Sequence, residues 1–375
     1  MAFYEGEAHF ILIPDDHKLW QGENKMKKTL VVLLVALFAM SFVFAGGSSE
    51  SASSSGERQH KFCLIVTGGT LGDQANNDAI WAGFTSFCNE NGFESTAIEL
   101  PEVADIDRTV REMASDGYDF IGFNSSDAAD MMDDLCPDFP SVRFVMYNGT
   151  NNNGYDNLTN VSVDVAGAGF LTSIYGCLMN EYLGGQRKVG YIGGVRNPNL
   201  ERVRYSMQAA AELIGGECIA AYVGSFSDAA KGKEIAQQMH SNGANVIQAW
   251  AGGANKGIYE AAETAGEGHL SIGAANGQYH MSSTIWASLN TQCDKIFYEL
   301  CSQFVEGTIK GGFFESSVLN GMVDCVPAPD ERAGKIPASI LEEVDKYRQM
   351  LKSGEIFAPT TEAEYNDFAA KFLSK

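Results

Sequence analysis

Two glycine-rich stretches in this 375-residue chain have the composition of loops that hold a ligand with backbone amides: GGTLGD at 68–73 and AGGANKG at 251–257. Each follows an apolar run and leads into a helix-period segment, so N–H groups are presented at a strand-to-helix turn. Neither completes a phosphate site. The first lacks GxGxxG spacing, and no acidic residue closes the next strand; the second has a lysine but no GK[ST] ending. What remains is hydrogen bonding to a neutral polar ligand. Residues at strand ends and in adjoining loops suit that chemistry: Asn77, Asn124, Asn148, Asn276 and Gln278 offer amide donor–acceptor pairs, and Trp81 and Trp250 offer flat apolar faces. Arg196 and Trp286 are secondary candidates. No nucleophile–base pair or cluster of carboxylates falls at these positions, the six histidines show no metal spacing, and the eight cysteines contain no CxxC pair. Catalysis, a metal and a cofactor are therefore not expected.

The elements that must position these residues alternate between two periods. Apolar runs of strand length recur at 61–66, 95–100, 118–123, 143–147, 188–193, 218–224, 244–250, 269–274 and 322–327. Between most of them lie helix-period segments such as DAIWAGFTSFCNENG and ERVRYSMQAAAELIGG, often closing on Asn-Gly, Asp-Gly or Gly-Gly. This rhythm predicts an α/β fold with parallel sheets covered on both faces. The pattern also repeats. Strand, Gly-Gly, polar loop, helix and glycine stop occur from Cys63 and again from Lys188, with Gly68 matching Gly193 and Asp119 matching Asn245. Two Rossmann-like lobes follow, with the carboxyl edges of their sheets facing each other across a ligand crevice.

Met26 to Ala45 reads MKKTLVVLLVALFAMSFVFA: two lysines, an unbroken apolar run and a small-x-small ending. It predicts a secretory signal, with Gly46 rather than a lipid-accepting Cys after the cleavage point. Residues 1–25 then read as an over-extended gene start, and 46–59 as a flexible Ser/Gly tether. The net charge of −22 repels phosphate backbones and anionic lipid, so neither nucleic acid nor a membrane surface is an expected partner. The cysteines in an exported chain permit disulfides, but Cys63 and Cys177 lie in apolar segments and read as buried thiols.

From Phe62 to Pro327 the chain resembles the basic membrane protein / purine nucleoside receptor family of ABC-transporter substrate-binding proteins. The resemblance rests on Gly68-Gly69, on Asp73-Gln74-Ala75-Asn76-Asn77 with Trp81-Ala82-Gly83, and on YDFIGF, CPDFPSVRFVMYNG, NVSVDVAGAGFLTSIYGCLMN, KVGYIGGVRNP, VGSFSDAAKGKEIAQQM and GANVIQAWAGGANKGIYEAA in that order. It implies a type I periplasmic binding fold joined by a three-segment hinge, and it adds Asn76 to the ligand-binding set. It also implies that the family's two stacking phenylalanines fall at Asn76 and Val203. Its base-reading Asp falls at Asn148, its sugar-reading acidic segment at Ala274–Gln278, and its Lys near Thr291. With those rings and carboxylates absent, purine nucleosides are expected to bind more weakly than in typical members. The ligand class stays open between a nucleoside, another heterocycle and a sugar-like compound.

The expected organisation is 60–163 with 284–310 as one lobe and 164–283 with 311–375 as the other, hinged near 161–166, 276–284 and 311–322. The expected function is an extracytoplasmic, monomeric receptor that delivers a small neutral ligand to an ABC permease, with a chemoreceptor as a further docking partner. A secreted enzyme or a chemosensory receptor on the same two-lobe scaffold is the alternative. A ligand-controlled repressor shares the fold but requires a basic helix-turn-helix, which is absent.

Overall fold

Lys61–Thr67 is apolar on both sides of the strand and buried from its second residue onward, the signature of a strand covered on both faces. Such strands set the architecture. A computed structural model describes residues 59–373; the gene-start and signal readings, and the tether reading up to Arg58, lie outside the described residues. In chain order the elements are β1 (Lys61–Thr67), α1 (Asn76–Asn91), β2 (Glu94–Leu100), α2 (Ile106–Ser115), β3 (Phe120–Phe123), α3 (Met132–Asp138), β4 (Arg143–Tyr147), β5 (Leu158–Val163), α4 (Ala166–Tyr182), β6 (Lys188–Gly193), α5 (Pro198–Leu213), β7 (Glu217–Tyr222), α6 (Ala229–Ser241), β8 (Val246–Trp250), α7 (Asn255–Ala265), β9 (Leu270–Gly273), β10 (Ile285–Asn290), α8 (Cys293–Val305), β11 (Gly312–Ser316), β12 (Asp324–Pro327), α9 (Ala338–Ser353) and α10 (Glu362–Phe368). Among the described residues no helix is long and apolar enough to cross a membrane.

These strands form two six-stranded sheets, ordered β2-β1-β3-β4-β5-β11 and β7-β6-β8-β9-β10-β12. The orders are equivalent strand by strand. Every pairing is parallel except β10 with β12. Helix ends follow local chemistry: Asn197 caps α5 by accepting from Leu200 N–H at 3.0 Å with Pro198 at the first position, and Asp228 caps α6 through Lys231 N–H at 2.9 Å. In the first lobe α1 and α8 pack over an aromatic core in which Phe84 stacks on Phe297 at 5.6 Å and Phe62 meets Phe120 at 5.2 Å. Gly83 is required there, because a Cβ would collide with the Asp294 carbonyl at the start of α8. In the second lobe α4, buried on nearly every side, binds α5 through Ser173 Oγ donating to Met207 O at 2.7 Å.

The lobe boundaries differ from expectation at two places. Residues 284–290 belong to the second lobe, since β10 pairs with β9 and β12; residues 312–316 belong to the first, since β11 pairs with β5. The repeat itself supplies the reason: β10 is the counterpart of β5, and each lobe receives its last strand only after the chain has crossed. The chain therefore crosses at 164–165, 291–292 and 317–323, and the segment 276–284 is an edge loop within the second lobe rather than a crossing. The three strands absent from the sequence reading are β5, β10 and β11, whose LTNVSV, IWASLN and GFFES mix Thr, Asn, Ser and Glu into the apolar pattern.

Candidate functional site

Parallel strands place all their carboxyl ends on one edge, and here the two edges touch. Gln278, in the loop after β9, donates from Nε2 to the carbonyl of Gln74, in the loop after β1, at 3.1 Å. Beside it Asn276 Oδ1 accepts from Cys293 N–H at 3.1 Å, and the Cys293 thiol lies 3.9 Å from Asn76 Oδ1 at the start of α1. Asn76, Asn276 and Gln278 are thus brought together at the meeting of the lobes.

Their hydrogen-bonding capacity is largely used within the protein. Gln278 is buried, and its Oε1 accepts from Tyr259 Oη at 2.5 Å and Asn255 Nδ2 at 3.2 Å. Asn124 is saturated: Oδ1 accepts from Thr67 N–H at 2.9 Å, while Nδ2 donates to Thr67 O at 3.0 Å and to Asn77 Oδ1 at 2.8 Å. Asn77 donates in turn to Thr70 O at 3.1 Å. These amides shape the edge loops. Asp73 does the same by accepting from the backbone N–H groups of Ala75, Asn77 and Asp78, which fixes the entry to α1.

The remaining candidates separate. Asn148, exposed after β4 with φ 53, makes no side-chain hydrogen bond among the described residues and so is not tied to the cluster. Trp81 is half-buried against Phe84 at 6.4 Å and packs on the first lobe's core. Trp250 ends β8, also half-buried; its carbonyl accepts from Gly194 N–H at 3.1 Å. Trp286 lies under Lys335, and exposed Arg196 pairs with Glu201 at 3.3 Å. Val203 is fully buried and packs against Gly169, so it belongs to the α4–α5 interface and not to a ligand face.

Sequence reasoning missed one ring. Phe226, in the loop after β7, is 45% exposed, and its ring rests against Gly194 and near Gly252 on the second lobe's edge. Its carbonyl accepts from Ala254 N–H at 3.0 Å, which ties it to the AGGANKG turn. A phenylalanine in a Gly/Ser loop directly after a strand, as in VGSFSD, was the available signal. Gln74, Cys293 and Tyr259 were also missed, because their roles depend on the other lobe or on a buried partner.

Burial keeps the thiol at the lobe junction neutral and unreactive. Burial raises Cys293 to about 11 and drives Tyr147, beside it, well above the usual phenol range. All eight cysteines are free thiols. Among the described residues no group of three or more His, Cys, Asp and Glu is arranged to hold a metal ion.

Comparison with known proteins places this geometry. The family profile Bmp, described as ABC transporter substrate-binding protein PnrA-like, matches residues 61–351. Basic membrane protein A of Borreliella burgdorferi is 23% identical over 92% of this chain and 99% of its own length. The match to basic membrane protein A of Borreliella afzelii, 26% identical, covers 50% of this chain and 58% of that protein. A Lactococcus lactis protein named as an ABC transporter nucleoside-binding protein is 25% identical over 64% of this chain and 69% of its own. A crystal structure of an ABC transporter solute-binding protein from Aeropyrum pernix superposes with a TM-score of 0.71, 20% identity, and coverage of 84% of this chain and 98% of that one.

Proposed function

Because the chain belongs to the family of PnrA-like ABC transporter substrate-binding proteins, we propose that it captures a small neutral ligand of the nucleoside type between its lobes and presents it to an importer permease. The observation that carries the ligand class is Phe226, an exposed ring seated on glycine backbone at the carboxyl edge of the second sheet. An aromatic face there stacks a planar heterocycle, and the name of the Lactococcus relative points to the same chemistry. Asn76 and Val203 carry no ring, so stacking falls to Phe226, with Trp250 alongside. Asn148, unengaged on the first lobe, and the remaining N–H of Asn77 supply neutral polar contacts.

Capture works by closure. The ligand adds contacts to both lobes, which shifts the population from open to closed about 164–165, 291–292 and 317–323, and the closed surface is what the permease reads. The 26–45 sequence supports export of the mature chain from the cytoplasm; the reading takes that chain as a monomer, with a chemoreceptor as a second docking partner of the same closed face. Native mass spectrometry of the purified mature chain tests the reading. A co-purifying nucleoside-sized neutral compound supports it; a bound phosphorylated or carboxylate compound overturns it.

A further inference from the structure

Asn77 and Asn124 at the edge of the first lobe are engaged with each other and with Thr67, yet one carboxylate oxygen there is not. Asp127 is exposed in the loop after β3. Thr67, buried at the end of β1, donates from Oγ1 to Asp127 Oδ2 at 2.7 Å, and the Asp127 N–H donates to Ser125 Oγ at 3.2 Å. Ser125 Oγ lies 2.9 Å from Thr67 Oγ1, so a single short network fixes the side chain. A Cβ built on Gly68 would lie 4.0 Å from that same Oδ2. The carboxylate therefore stands beside Gly68, the residue after β1, which has no side chain of its own. Its other oxygen, Oδ1, takes part in no hydrogen bond or ion pair among the described residues.

We propose that Asp127 is the specificity-determining residue of the first lobe, accepting on Oδ1 a hydrogen bond from an O–H or N–H donor of the neutral ligand. The inference rests on the nucleoside reading above. A carboxylate oxygen held in place by a neutral hydroxyl keeps its charge for the ligand, and a charge-assisted bond in a closing crevice is worth about twice a neutral one. The position also discriminates. An anionic ligand brought against Asp127 meets charge repulsion there, which a neutral donor does not.

The test is calorimetric titration of wild type and Asp127→Asn with inosine, 2′-deoxyinosine, 3′-deoxyinosine and N1-methylinosine, with the thermal midpoint as folding control and Asp127→Ser as a second variant. Inosine should bind the Asn variant about 10- to 100-fold more weakly, with the midpoint unchanged. The analogue that lacks the contacted donor should bind wild type and variant alike, which identifies whether that donor belongs to the sugar or to the base. Inosine affinity within twofold of wild type in both variants overturns this inference alone. Failure of wild type to bind any of the four, and adenosine and guanosine as well, overturns the nucleoside reading, and the assignment of Asp127 with it.

Discussion

Gln278 Nε2 donates to the Gln74 carbonyl at 3.1 Å, and both residues hold left-handed backbone, at φ 50 and φ 52. The only other non-glycine residues at positive φ among those described are Asn148, Ala275 and Gln292. All five lie in loops at the carboxyl ends of strands. Left-handed backbone costs an L-residue about 1–2 kcal/mol, so, Asn148 aside, this strain sits in the loops around the Gln278–Gln74 contact. The Gln278–Gln74 bond helps to hold that strained arrangement closed.

Replacing Gln278 by Leu removes this bond and leaves Tyr259 Oη and Asn255 Nδ2 without their acceptor. Buried groups stripped of partners cost about 1–3 kcal/mol, so chemical denaturation should show a loss of that size. Small-angle scattering of the ligand-free variant should give a larger radius of gyration than wild type. An unchanged radius would mean that the contact does not contribute to closure.

Phe226→Ala should weaken ligand binding by about tenfold while leaving the thermal midpoint close to wild type, because the ring is half exposed. Val203→Phe is the converse. It restores a ring at the position where the family resemblance puts one, but that position is packed against Gly169, so overpacking should cost about 1–3 kcal/mol with no gain in affinity. A Val203→Phe variant that bound nucleoside more tightly would return the stacking role to that helix.

The two lobes were legible because glycine pairs and helix stops recur at a constant offset, and β5 and β10 begin at 158 and 285 just as β1 and β6 begin at 61 and 188. The assignment of β10 and β11 was not legible: it depends on which neighbour each strand hydrogen-bonds, and their mixed polar sequences hide them. The site was half legible. Strand-end position flagged Asn77, Asn124 and Gln278, but an amide's free capacity depends on partners distant in sequence, and all three proved to be engaged. Phe226 was visible as a residue, but not as an exposed ring on glycine backbone.

Stability should fall in mild acid through His240. Its Nδ1 faces the Ala244 carbonyl at 3.1 Å, its Nε2 is buried without a partner, and the ring packs at 4.7 Å against His269. Burial first, then repulsion from His269, lowers its pKa to about 4 from 6.5. Between those values the unfolded chain binds the proton and the folded chain does not. The contribution is therefore fully present above pH 6.5 and is lost as pH falls towards 4, by up to about 3 kcal/mol. Urea midpoints at pH 7 and pH 5 should differ less in His240→Gln than in wild type; equal differences would remove His240 from the account.

Titration of the mature chain with adenosine, guanosine and inosine tests the central claim most directly. The account predicts saturable one-to-one binding of at least one of them with Kd below ~10 μM, about −7 kcal/mol. Absence of heat with all three at millimolar ligand, under conditions where the chain is folded, would contradict it.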